Sequence, residues 1–182
     1  MIHVLIGVRV GSTRLPAKCL LPFSNGMSVL EHVVARTIAA KMQPVICTVS
    51  EDHELIKNHL DDNSVIIVGP LKNKLKRLKI ACDTLGITEF HSLDADDPYF
   101  CPLQIRKSMT RLKANAVVFP SHYSDQGGAT EGYSFRSEAL THFSNLSDDL
   151  STTYFPHHFE NFEIQRVQCA SYHKRQTRLT LD

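Results

Sequence analysis

Three features of the 182-residue chain predict a three-layer α/β domain built on a mostly parallel sheet. Short apolar runs rich in β-branched residues recur (IHVLIG, PVICTVS, SVIIVG, NAVVFPS), each the length of a strand buried on both faces. Segments with apolar residues at helical spacing lie between them, and strands alternating with helices are the pattern of parallel βαβ units. The chain is long enough for one domain, 1–182, and no internal repeat, low-complexity tract or Pro- or Ser-rich linker divides it.

The elements follow in order. IHVLIG is the first strand, ending at Gly7, and a Gly-rich basic turn, VRVGSTRLPAK, comes at once. MSVLEHVVARTIAAK places Val29, Leu30, Val33, Val34, Ile38 and Ala39 on one helical face, with Ser28 as N-cap and Glu31 three residues on. PVICTVS is the second strand, and EDHELIKNHLDD opens a helix whose first turn carries acidic residues, as the helix dipole favours. SVIIVG is the third strand and LKNKLKRLKIACDTLG a basic amphipathic helix. EFHSLDADDP runs from a fourth strand into an acidic loop, PLQIRKSMTRLKA is a helix, and NAVVFPS the fifth strand. From Ser121 the rhythm breaks. GGATEGYSF and TTYFPHHFENF do not read as another strand and helix pair, so 121–165 is expected to be an insertion, lid or dimer arm. The chain closes on RQTRLTLD, a short strand with no helix after it.

Composition narrows the partners. Twenty Lys plus Arg against nineteen Asp plus Glu give a formal charge of +1, so there is no global footprint of nucleic-acid binding and any anion site is local. The five cysteines are scattered without a CxxC pair, as expected for reduced thiols in a cytoplasmic protein. MIHVLIGV is too short for a secretory signal, and no later apolar run approaches a membrane span. His157 and His158 are adjacent, so their imidazoles point apart, and no spaced partner makes them a metal site.

In open α/β sheets, ligands bind at the carboxyl ends of the strands. Two loops at such ends carry unusual residues: VRVGSTRLPAK, with Arg9, Gly11, Ser12, Thr13, Arg14 and Lys18, and LDADDP, with Asp94, Asp96 and Asp97. Basic groups that hold nucleotide phosphates, beside a carboxylate that holds the bridging magnesium ion, would explain both. The first loop matches neither GxxxxGK[ST] nor GxGxxG. On spacing alone it is either a phosphate grip or a glycine turn with surface Arg and Lys, and the KNKLKRLK run reads as a solvated helix face.

GVRVGSTRLPAKCLLPF resembles the ARxGSTRLPGKxL signature of the cytidylyltransferases that make CMP-sugars, of the 3-deoxy-manno-octulosonate, acylneuraminate and spore-coat-polysaccharide types. It departs at Val8, where alanine is usual, and at Ala17, where glycine is usual; Ala17 strains the turn if that glycine needs positive φ. VGPLKNKLKRLKIA is similar to GSxxDVLxR, keeping Gly69, Leu75 and Arg77 but with Lys72 and Asn73 at acidic positions. LDADDPYF is similar to GDxPL, with Asp96 and Pro98 in place. GGATEGYSFRSEAL is similar to a stretch with a Glu before an aromatic turn, here Glu131, and TRLTLD resembles RxTVD, ending on Asp182 where relatives continue into a helix. STTYFPHH stands where relatives show an REHVTPY-like sequence, so Ser151, Thr152 and Thr153 replace charged and imidazole groups.

The resemblance implies a Rossmann-like nucleotide-diphospho-sugar transferase fold. It implies that Arg9 and Lys18 contact the triphosphate of CTP, that Gly11 and Ser12 offer backbone N–H groups, and that Arg77 belongs to the nucleotide pocket. Asp96 and Asp182 would bind Mg²⁺, Glu131 the acceptor, and Asp94 would help remove a proton. Arg14 is as readily a structural ion-pair partner. The implied reaction moves CMP from CTP to an acidic sugar or similar acidic acceptor, releasing pyrophosphate, in a homodimer that serves surface polysaccharide synthesis. The alternative is a non-catalytic nucleotide-binding or dimerisation domain derived from such an enzyme.

Overall fold

A computed structural model of the chain describes residues 1–11, 15–112, 116–120, 132–144 and 163–167. Its strands are β1 (His3–Gly7), β2 (Gln43–Thr48), β3 (Ile66–Val68), β4 (Glu89–Asp94), β5 (Ala116–Pro120), β6 (Tyr133–Arg136) and β7 (Glu163–Val167). The helices are α1 (Val29–Ala39), α2 (His53–Lys57), α3 (Lys74–Leu85), α4 (Pro102–Arg111) and α5 (Ser137–Ser144). All seven strands join one sheet in the order β3-β2-β1-β4-β6-β5-β7. β1, β2, β3 and β4 run parallel, β6 runs antiparallel to β4 and β5, and β7 is parallel to β5. The expected mostly parallel α/β fold is the one observed.

Alternation along β1 divides the core into two layers. Leu5 packs with Leu75, Leu78 and Cys82 of α3 and Leu140 of α5, whereas Val4 and Ile6 pack with Leu30 and Val33 of α1 and Ile105 of α4. The helix ends obey local chemistry. Ser28 Oγ accepts from the Glu31 amide at 3.2 Å while the Ser28 amide donates to Glu31 Oε2 at 2.7 Å, a complete capping box. Asn73 caps α3 through the Lys76 amide at 2.8 Å, and Gly86 ends that helix in the left-handed conformation. The helix expected from EDHELIKNHLDD shrinks to the five residues of α2, after a single 3-10 turn at Ser50–Asp52.

The reading of residues after Ser121 needs a correction. GGATEGYSF does lead into a strand and helix pair, β6 and α5, and EIQRV forms β7. The entry to β6 depends on Gly132, at φ +67, where a Cβ would run into the Ser92 carbonyl oxygen. Phe135 of β6 is fully buried against Phe90 of β4, so 133–140 supply core. The remainder of the expected arm, 121–131 and 145–162, lies outside the described residues. Among the described residues no helix is long and apolar enough to cross a membrane.

Candidate active site

Because β1 and β4 are parallel neighbours with Gly7 opposite Asp94, the loops after them leave the same edge of the sheet side by side. The acidic loop turns sharply: the Ala95 amide donates to the Gly7 carbonyl and the Asp97 amide to the Asp94 carbonyl, both at 3.1 Å. That turn gathers Asp94, Asp96 and Asp97, with one carboxylate oxygen of each within 4.8 Å of the others. Asp97 is 5% exposed. Three carboxylates this close repel one another unless cations stand between them, and clustered hard oxygens suit a divalent ion such as Mg²⁺.

The basic loop reaches this cluster. Lys18 Nζ forms an ion pair with Asp96 Oδ2. Its backbone is drawn inward where the Val10 amide donates to Asp52 Oδ2 at 2.8 Å and the Ala17 amide to the Val10 carbonyl at 3.0 Å. Asp52 therefore spends its carboxylate on the loop and makes no side-chain cap on α2. Ala17 sits at φ 53, ψ 26, the left-handed region, so the alanine for glycine exchange carries the strain its position foretold. Cys19 is buried beneath the loop; burial, with Asp96 and Asp52 nearby, pushes its thiol up to about 11. Arg9 and Gly11 are exposed at the loop's outer side.

A second lysine enters from α3. Lys74, the first residue of that helix, pairs through Nζ with Asp94 Oδ1. Gly7 makes room for the pair: a Cβ there would lie 3.0 Å from Lys74 Cε and 3.2 Å from Asp94 Oδ1. Lys74 was hidden in KNKLKRLK, which reads as a solvated face because charge runs show no direction; its place at the helix start, facing the strand ends, is the signal that finds it. Arg77, one turn on, is 3% exposed and donates from Nη1 to the carbonyls of Pro70 at 2.6 Å and Leu71 at 3.1 Å. Burial, then the nearby charge of Arg9, lowers its pKa. A Cβ at Gly69 would lie 2.6 Å from Arg77 Cγ, so that glycine lets the arginine pack against the turn it holds.

Of the residues the sequence singles out, Lys18, Asp94 and Asp96 meet in one cluster. Arg9 lies close enough to Arg77 and Glu51 for its charge to act on both. Ser12, Glu131 and Asp182 lie outside the described residues, as do Arg14 and the His157 and His158 pair.

This sheet, with paired basic and acidic loops at the carboxyl ends of its central strands, sets a charged site where α/β folds hold their ligands. The chain superimposes over its full length on a cytidylyltransferase from Leptospira borgpetersenii serovar Hardjo-bovis, with a TM-score of 0.82, 20% identity and 81% of that chain covered. It also superimposes over 94% of its length on a CMP:2-keto-3-deoxy-manno-octonic acid synthetase complexed with CTP, with a TM-score of 0.69, 16% identity and 91% of that chain covered. A model of the cytidylyltransferase family matches residues 3–181, and the chain belongs to that family. An 8-amino-3,8-dideoxy-manno-octulosonate cytidylyltransferase of Shewanella loihica is 29% identical over 147 residues, 75% of this chain and 55% of the relative. The chain thus spans about half the length of the curated relatives it matches.

Proposed function

We propose that the chain carries the nucleotide-binding and catalytic centre of a CMP-sugar synthetase, moving CMP from CTP to a hydroxyl of an acidic sugar. The observation that carries this reading is the meeting of Lys18 with Asp96. It joins a phosphate-binding charge to a metal-binding one at the edge where α/β sheets hold ligands. The acceptor oxygen attacks the α-phosphorus, the bond to the β-phosphate bridging oxygen breaks, pyrophosphate leaves, and the hydroxyl proton passes to a base.

Arg9 and Lys18 neutralise the triphosphate as negative charge shifts onto the departing pyrophosphate, and Gly11 and Ser12 present backbone N–H groups to it. Asp96, with Asp94 and Asp97 beside it and Asp182 as a further carboxylate, would hold Mg²⁺. When bound, the ion supplies charge neutralisation at the phosphates. Lys74 holds the Asp94 carboxylate, the group assigned to receive the acceptor's proton. Arg77, which fixes the turn at Pro70 and Leu71, is assigned to the nucleotide pocket, and Glu131 to the acceptor. The acceptor class follows the names of the relatives, 8-amino-3,8-dideoxy-manno-octulosonate above all, and a homodimer, a cytoplasmic setting and a role in surface polysaccharide synthesis belong to the same reading.

Pyrophosphate release from CTP and Mg²⁺, measured with 3-deoxy-manno-octulosonate and with its 8-amino form, tests the proposal. Release that needs the acceptor supports it. CTP binding with no turnover on any acidic sugar would instead favour the non-catalytic alternative.

A further inference from the structure

The acidic turn is also held from the side of α1. Beyond Asp97 the chain passes Pro98 and Tyr99 to Phe100, whose ring is fully buried in the α1 and α4 layer. Arg36 of α1 donates from Nη2 to the Phe100 carbonyl at 2.8 Å, and its guanidinium lies over the Phe100 ring, 5.2 Å from the centroid. One arginine therefore fixes both the backbone and the side chain of a single residue, a fork that lysine does not reproduce. One helical turn earlier, His32 faces the Pro98 carbonyl. The loop turns at Pro98 and Tyr99, with the Phe100 amide donating to the Asp97 carbonyl at 3.4 Å, and α1 meets it on both sides of that turn. His32 also meets Phe23 edge to face at 5.1 Å, just past the basic loop, so the same helix touches the chain that follows each loop.

We propose that Arg36 is a positioning residue for the carboxylate cluster: by pinning Phe100 it sets where Asp96 and Asp97 stand. The inference rests on the reading of that cluster as the metal site. A matched contact supplies the control. Arg106 of α4 donates from Nη2 to the Ala40 carbonyl just past the end of α1, so it ties α4 to α1 without touching the loop. Losing either bond loosens the packing against α1; only Arg36 acts on the carboxylates.

The test is Mn²⁺ binding to the full chain, read from the loss of the free Mn²⁺ electron paramagnetic resonance signal, beside calorimetric CTP binding in excess chelator. Arg36→Gln should weaken Mn²⁺ binding about 10-fold to 100-fold, the usual effect of removing a group that orients metal ligands, and leave metal-free CTP binding unchanged. Arg36→Lys, which keeps the charge and loses the fork, should fall between the two. Arg106→Gln should lower the melting temperature and keep the wild-type Mn²⁺ affinity. Wild-type Mn²⁺ affinity in folded Arg36→Gln, or in Arg36→Lys should the first variant not fold, overturns the inference. Equal loss in Arg106→Gln also overturns it, because the effect would then be general loosening. Wild-type protein that binds no Mn²⁺, or Asp96→Asn that binds it normally, would bring down the metal-site reading itself, and the inference with it.

Discussion

The two loops that meet at Lys18 and Asp96 are built in opposite ways. The basic loop is long, leaves Arg9 and Gly11 exposed, and spends a left-handed alanine to make its turn. The acidic loop is short, buries Asp97 and Phe100, and is tied at one end to β1 and at the other to Arg36. The difference fits the two ligands of the proposed function. A triphosphate is large and takes charge from several sides, so an exposed Arg9 and a partly buried Lys18 can both serve it. A small cation demands oxygens at fixed spacing, and a pinned turn provides that.

The largest effect should come from the pinned side. Asp96→Asn removes a carboxylate at the point where the loops meet, and pyrophosphate release should fall about 10²-fold to 10³-fold, the range for losing one electrostatic group of a catalytic site. Lys18→Ala should lower the same rate and also weaken CTP binding in chelator, which Asp96→Asn should not do. If both variants lose CTP binding alike without metal, the division of labour between the loops is wrong.

Gly7→Ala probes the space between them. Its Cβ would meet the flexible end of Lys74 rather than backbone, so the melting temperature should move little. Displacing the Lys74 and Asp94 pair should nonetheless cost turnover, about 10-fold to 100-fold for a misplacement near 1 Å. A variant with unchanged rate would show that this pair stands outside the reaction.

The buried thiols give a pH test of the framework. Burial pushes Cys47 and Cys82 up to about 12 and Cys19 up to about 11, from an ordinary 9.0. Above pH 9 the unfolded chain loses these protons and the folded chain keeps them, so stability falls as pH rises, by up to about 1.4 kcal/mol per unit for each thiol. Thermal melts from pH 8 to pH 10 should show the decline, and Cys19→Ala should make it shallower; a flat profile would mean the thiols are solvated.

The smallest effect belongs to Ala17→Gly. Relief of left-handed strain, less the entropy glycine loses on folding, should stabilise the chain by about 0.5–1 kcal/mol. That is a rise of about 1–4 °C in melting temperature for a domain this size. A drop would show that the alanine methyl makes a contact worth more than the strain.

Much of this site was legible in the sequence, for local reasons. Ser28 and Glu31 announce their capping box, IHVLIG its buried strand, and GSTRLPAK and LDADDP their charge, because each depends on neighbours within a few residues. Ala17 could be flagged as strained from one aligned position alone. What escaped depends on distant partners. β6 is four residues long and is recruited by β4, some forty residues earlier, through a glycine whose necessity lies in the Ser92 carbonyl. Lys74 and Arg36 are ordinary surface cations by pattern, and their partners Asp94 and Phe100 stand 20 and 64 residues away in sequence.

The most direct test is a thermal-shift comparison of CTP, UTP, ATP and GTP with Mg²⁺, because the nucleotide that binds the folded chain best stabilises it most. CTP should give the largest shift, and Lys18→Ala should shrink it. No shift with any nucleotide, or equal shifts with all four, would contradict a cytidylyl-transfer centre built on Lys18 and Asp96.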